Sequence, residues 1–191
     1  MFFLEVIVTA QSVILGFACA RILHSTPYLF SKLCDIKIYF VWYILILHIF
    51  ISFWTSISIS RLTEYDFLDF ILLMIYQGLA FIMCDTIFPT NSDKIINWDE
   101  HYFKRNKTFW FCLFVSAIVA IIQIEKAYHN ILGDNYLVIY FVLFIPWILG
   151  SLLGYSLQKA KMQWMALILI TLNVTVHSLS TLLEQYVEIK F

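Results

Sequence analysis

The chain has 191 residues, of which 62% are hydrophobic, 18% aromatic and only 13% charged, and its formal net charge is −1. A water-soluble fold of this size cannot cover so much apolar surface with so few charges, so lipid is the solvent that fits. The near-neutral balance excludes a general electrostatic pull toward nucleic acid.

A membrane span needs about 20 mostly apolar residues to cross a hydrocarbon core of about 30 Å. Six stretches meet that need, at residues 2–22, 38–58, 67–88, 108–125, 136–157 and 162–183. Backbone amides in lipid must be satisfied within their own segment, and these runs lack the alternation of barrel strands, so helices are expected. The expected fold is all-α, a single six-helix transmembrane domain over residues 1–191. The first segment, MFFLEVIVTA, lacks a basic leader and a cleavage site and reads as a retained span.

In span one, Ser12, Gly16 and Ala20 recur at four-residue steps, a small-residue seam that lets another helix approach closely. Glu5 and Thr9 continue that face toward the helix start. Connection one carries Pro27 and Lys32 and is expected to lie along the interface. Span two runs from a belt of Tyr39, Trp42 and Tyr43 to Trp54, with His48 at its middle and a polar stripe of Ser52, Thr55 and Ser56 beyond it. Span three opens with Asp66 and Asp69, has Gln77-Gly78 near its middle and closes at Asp85.

The two halves are joined by a polar crossing, PTNSDKIINWDEHYFKRNKTFW, from Pro89 to Trp110. Asn97 followed by Glu100 has the form of a capping box. The spacing predicts a short interfacial helix before span four, turning Trp98, Tyr102 and Phe103 toward lipid or protein and Lys104, Arg105 and Lys107 toward headgroups. Such a helix serves either as a depth anchor or as a docking surface for a cytoplasmic protein partner. Span five holds Pro146, whose ring frees the carbonyl of Val142 and should kink the helix, and the pair Gly150 and Gly154, a close-packing face. Span six places Asn173, His177 and Thr181 at four-residue steps, with Glu184 at its end.

Lysine and arginine placement sets the orientation. Connections one, three and five carry nine of these residues (Arg21, Lys32, Lys37, Lys94, Lys104, Arg105, Lys107, Lys159 and Lys161) against three elsewhere, Arg61, Lys126 and Lys190. Both termini are therefore expected outside. Cys19, Cys34, Cys84 and Cys112 fall on or near the cytoplasmic side, where thiols stay reduced, and their spacing matches no zinc framework. Three spans on either side of the crossing allow an inverted repeat, although only YFV, at Tyr39 and Tyr140, is shared between the halves.

His48 with Trp54, the run IFP closing on Pro89, and EHYFKRNKTFWF entering span four resemble a family of small bacterial multi-span membrane proteins. The resemblance covers roughly residues 40 to 114. It implies a helical bundle in the bacterial inner membrane and no catalytic residue.

Ionisable and polar groups inside a membrane are costly and are therefore candidates for function. Glu5, Thr9, His48, Ser52, Asn173 and His177 form stripes on spans one, two and six that would line a hydrated ion or proton path, with Pro146 as a kink. The competing reading is that these groups satisfy one another as interhelical hydrogen bonds. His48 and His177 are also the pair that would ligate a haem from two sides, at depths differing by about 7 Å. No HExxH, GxSxG, Gly-rich phosphate loop or paired-carboxylate spacing is present, which disfavours an enzyme, and Asp85, Asp93, Asp99, Glu100 and His101 read as solvated loop groups rather than a metal site. The expectation is an oligomeric channel-like or transport-like protein of the cell membrane. The alternative is a non-conducting signalling or accessory subunit that docks a cytoplasmic partner.

Overall fold

The computed structural model describes the backbone of residues 2–31, 36–62, 67–95, 97–132, 136–156 and 160–190. Within these helices the side chains at 2–4, 7, 53–62, 124, 126–132, 136–143, 160–162 and 180–190 lie outside the description. Lys32, Cys34, Asp66 and Lys159, and the side chains of Trp54, Thr55, Ser56, Arg61, Lys126, Tyr140, Lys161, Thr181, Glu184 and Lys190, are therefore outside the described residues.

Among the described residues there are six α-helices, α1 (Phe2–Ser31), α2 (Ile36–Leu62), α3 (Phe67–Ile87), α4 (Trp98–Leu132), α5 (Tyr136–Ser156) and α6 (Ala160–Lys190), and one 3₁₀ turn at Ser92–Lys94. Among the described residues there is no strand. The helices close a ring in the order α1, α3, α4, α5, α6, α2, and α2 also reaches across to α3 and α4. That makes α2 the helix nearest the centre of the bundle.

α1, α2, α4 and α6 are longer than the sequence-based spans, whereas α3 and α5 match theirs to within a residue. α1 was expected to end at residue 22, with Pro27 in a connection, but it continues as helix through Pro27 to Ser31. Proline removes one backbone hydrogen bond, and local packing offsets the loss: Leu29 is fully buried, Thr26 accepts a bond from Trp42 Nε1 (3.1 Å), and Phe30 packs edge-on to Trp42 at 5.6 Å. α5 likewise runs through Pro146 without interruption.

The expected interfacial helix is not a separate element, because it is the first two turns of α4. Asn97 caps it as expected, its Oδ1 accepting from the amides of Asp99 (3.0 Å) and Glu100 (3.2 Å). The return arm of the capping box is redirected, since the Glu100 carboxylate takes a bond from Lys104 Nζ at 2.6 Å. At 35 residues, α4 is about 50 Å long at 1.5 Å per residue, well beyond a hydrocarbon core of about 30 Å.

The core is mostly apolar, but the outward faces differ from those of a water-soluble domain. Large apolar groups stand exposed on outward stripes, such as Met165, Ile168, Leu172, Val176 and Leu179 on α6, while Gln77, Asn106, Gln163 and His48 are fully buried. Hydroxyls satisfy themselves against the carbonyl four residues earlier: Thr9 to Glu5, Ser12 to Val8, Thr26 to Ile22, Ser52 to His48, Ser151 to Trp147 and Ser178 to Val174. That is the economical choice where water is absent. The stretches Val8–Ser31, Phe67–Lys94 and Trp98–Gln123 are long and apolar enough to cross a membrane, and α2, α5 and α6 contribute shorter apolar stretches, Ile36–Ser52, Phe144–Ser156 and Gln163–Leu179. This is the build of a membrane protein.

Candidate functional site

The centre of the bundle holds a polar cluster built around His48 of α2, which is 0% exposed. A glycine-free apolar run, IYFVWYILIL, leads α2 into the core, and the imidazole that follows it is held away from the outer surface. One turn later the Ser52 hydroxyl donates to the His48 carbonyl at 2.6 Å. α3 supplies Tyr76, whose ring lies 5.2 Å from the imidazole at a 43° tilt and whose hydroxyl hydrogen-bonds Ser52. α5 supplies Trp147, edge-on to His48 at 5.5 Å. The indole NH of Trp147 donates to the Leu113 carbonyl at 3.1 Å, so it is committed to α4 and not to the histidine.

α6 packs directly on α2 and brings His177 within electrostatic range of His48. Asn173 lies one turn earlier on the same face of α6, and Gln77 follows Tyr76 on α3. All three are buried. Among the described residues, no protein group hydrogen-bonds either ring nitrogen of His48. A buried, unsatisfied polar group costs about 1–3 kcal/mol, so His48 is kept at the expense of stability. A neutral imidazole offers one donor and one acceptor, and it can take up a proton on one nitrogen while releasing one from the other.

Of the six sequence-derived path residues, the fold brings His48 and Ser52 of α2 and Asn173 and His177 of α6 into the buried bundle interior. It does not bring Glu5 and Thr9, which are exposed on α1; Thr9 Oγ1 bonds the Glu5 carbonyl at 2.7 Å. The buried polar residues of α1 are Gln11 and Ser25, 5% and 0% exposed. Tyr76 and Trp147 were missed because aromatic side chains in an apolar run carry no signal of their own. The signal that would have found them is the depth they share with His48.

A second polar node lies between α4, α5 and α6. Gln163 Oε1 accepts from Tyr102 Oη (3.1 Å) and Trp110 Nε1 (2.9 Å), while its Nε2 donates to the Gly154 carbonyl at 2.6 Å. Every polar atom of that amide is engaged, tying α6 to α4 and α5, which is the arrangement of a structural tie. Tyr102 and Trp98, expected at the cytoplasmic interface, are 1% and 2% exposed and belong to the core. Lys104, Arg105 and Lys107 do face outward.

The two small-residue seams resolve in opposite ways, the first left open and the second packed as expected. Gly150 packs against Ile170 of α6, and Gly154 lies against the Trp110 ring of α4, so the GxxxG face is used inside the chain. Ser12, Gly16 and Ala20 are exposed, and nothing lies within 4 Å of where a Cβ on Gly16 would sit. Cys19, Cys84 and Cys112 carry free thiols. Among the described residues, no group of three His, Cys, Asp or Glu side chains is placed to hold a metal ion.

The crossing is clamped to α1. Arg21 Nε pairs with Asp85 at 2.9 Å and its guanidinium also bonds the Thr90 hydroxyl, His24 Nε2 meets the Thr90 carbonyl at 3.0 Å, and the Ser25 and Ser92 hydroxyls share a bond. From α4, His101 Nε2 donates to the Thr86 carbonyl at 3.2 Å. No protein-family model, curated protein or solved structure matches the chain.

Proposed function

We propose that this chain is a polytopic protein of the bacterial inner membrane, with six spans and both termini outside, that passes protons or a small cation through a polar interior centred on His48. The single observation that carries the reading is the fully buried His48 imidazole with neither nitrogen hydrogen-bonded among the described residues. His48 differs in this from Gln163, whose amide atoms are all engaged, and, unlike the amide of Asn106, whose two polar atoms also lack a partner among the described residues, an imidazole can relay a proton. His177, one helix away and within electrostatic range, is the natural second station. Ser52 and Asn173 extend the polar lining along α2 and α6. Assembly into a homo-oligomer belongs to the proposal, because six helices whose middle is filled by aromatic rings leave little width for a pore within one chain.

The test is proton flux into liposomes reconstituted with the purified protein, read with a pH-sensitive dye under an imposed potential. The wild-type protein should conduct, and His48→Ala should bring flux to the level of empty liposomes while eluting as the same folded species. A well-folded wild type without flux would overturn the reading in favour of a non-conducting accessory subunit. A Soret band in the purified protein would instead assign His48 and His177 to haem.

A further inference from the structure

The crossing does more than join α3 to α4. Between the end of α3 (Asp85, Thr86), the loop that follows (Pro89, Asn91, Lys94, Ile95) and the first turns of α4 (His101, Arg105) lies a cavity of 420 Å³. That volume falls in the range of small-molecule sites, about 300–1,000 Å³. It sits at the end of the α3–α4 hairpin, where a helix that crosses a bilayer meets the headgroups.

The charges around it do not cancel. Asp85 is the one acid in the lining, and its carboxylate is taken by Arg21. Glu100, nearby on α4, is taken by Lys104 on the other side of the helix. Lys94 and Arg105 are left: both line the cavity, and among the described residues neither side chain makes an ion pair or hydrogen bond. His101 sits between them in the lining, its ring fixed by the Thr86 carbonyl.

Two cations facing one polar cavity repel each other and gain from a shared anion. A guanidinium binds phosphate oxygens in pairs and an ammonium binds them as a point charge. The clamp of Arg21, His24 and Ser25 onto the Thr90–Ser92 segment holds the loop side of the cavity in place. Preorganisation of that kind lowers the ordering cost of binding.

We propose that this cavity binds a phosphate group through Lys94 and Arg105, presented either by an anionic lipid headgroup or by a soluble phosphate compound. The site is separate from the His48 cluster, and the proposal stands whether or not the protein conducts. Two measurements on the full chain in neutral detergent distinguish the sources. Thermal unfolding with inorganic phosphate, against chloride at matched ionic strength, reports the soluble source. Native mass spectrometry after equal exposure to phosphatidylglycerol and phosphatidylcholine reports the lipid source.

The expected result is a phosphate-dependent rise in Tm, or selective retention of phosphatidylglycerol. In either case Lys94→Ala with Arg105→Ala weakens the effect about tenfold or more, the loss of a charge-assisted contact. Both side chains are exposed, so the double variant keeps its fold. Lys107→Ala, equally basic and exposed but outside the cavity, leaves binding unchanged. No phosphate or lipid preference in the wild type, or an equal loss in Lys107→Ala, overturns the proposal.

Discussion

At the scale of single residues, His48 and Gln163 answer the same problem in opposite ways. Both are fully buried polar groups. Gln163 has each amide atom engaged by a neighbouring helix, whereas His48 is enclosed by the rings of Tyr76 and Trp147 with its nitrogens unbonded among the described residues. Replacing Gln163 with Leu should therefore orphan the Tyr102 hydroxyl, the Trp110 indole and the Gly154 carbonyl together. We expect a loss of about 2–3 kcal/mol, read as earlier unfolding in detergent. An unchanged midpoint would mean that the tie holds nothing.

His48 was legible in the sequence because one ionisable residue in the middle of an apolar run cannot reach water, whichever way the helix turns. Its neighbours on α1 were not. Glu5, Thr9 and Ser12 look like a polar stripe, but Thr9 and Ser12 bond their own helix carbonyls and so can face outward without penalty. Composition cannot distinguish a self-satisfied hydroxyl from one that needs a partner. Trp98 and Tyr102 misled for a related reason: an aromatic residue beside basic ones suits an interface and a core equally. Lys37 shows the converse, a charged residue 6% exposed, enclosed at 5.7 and 5.6 Å by the rings of Phe103 and Trp164.

At the scale of elements, the sequence marked close helix approach correctly but could not say between which helices. Gly154 sits on the Trp110 ring, and an added methyl would fall within that ring. Gly154→Ala should accordingly cost about 1–3 kcal/mol, the usual range for overpacking a filled core. Gly16→Ala adds a methyl where nothing lies within 4 Å and should leave monomer stability nearly unchanged. Thermal unfolding of the two variants side by side checks both statements, and equal effects would contradict the packing described for α4 and α5. Helix lengths were under-read at α1 and α4 because polar or proline-bearing turns extend past an apolar run whenever tertiary contacts support them, as Thr26 and Leu29 do for α1.

At the scale of the whole molecule, the ring α1-α3-α4-α5-α6-α2 places α2 against four neighbours. The most central helix thus carries the least accessible histidine. The apolar exterior was legible from composition, since 62% hydrophobic residues must face something other than water. The order of the ring was not, because it depends on which faces interlock. The proposed orientation, with the crossing in the cytoplasm and the C-terminus outside, rests on the nine-to-three split of basic residues. A reporter fused after Phe191 that is active only outside the cytoplasm should be active, and one that works only inside should be silent. The reverse pattern would invert the proposed topology.

The account turns on His48 being kept for function rather than for stability. The most direct measurement compares His48→Leu with the wild type in two readouts from one preparation, detergent unfolding and proton flux in liposomes. Leucine removes two unsatisfied polar atoms and keeps the apolar contacts to Tyr76 and Trp147, so stability should stay level or rise, while flux falls to that of empty liposomes. A variant that unfolds markedly earlier, or that conducts as the wild type does, would contradict it.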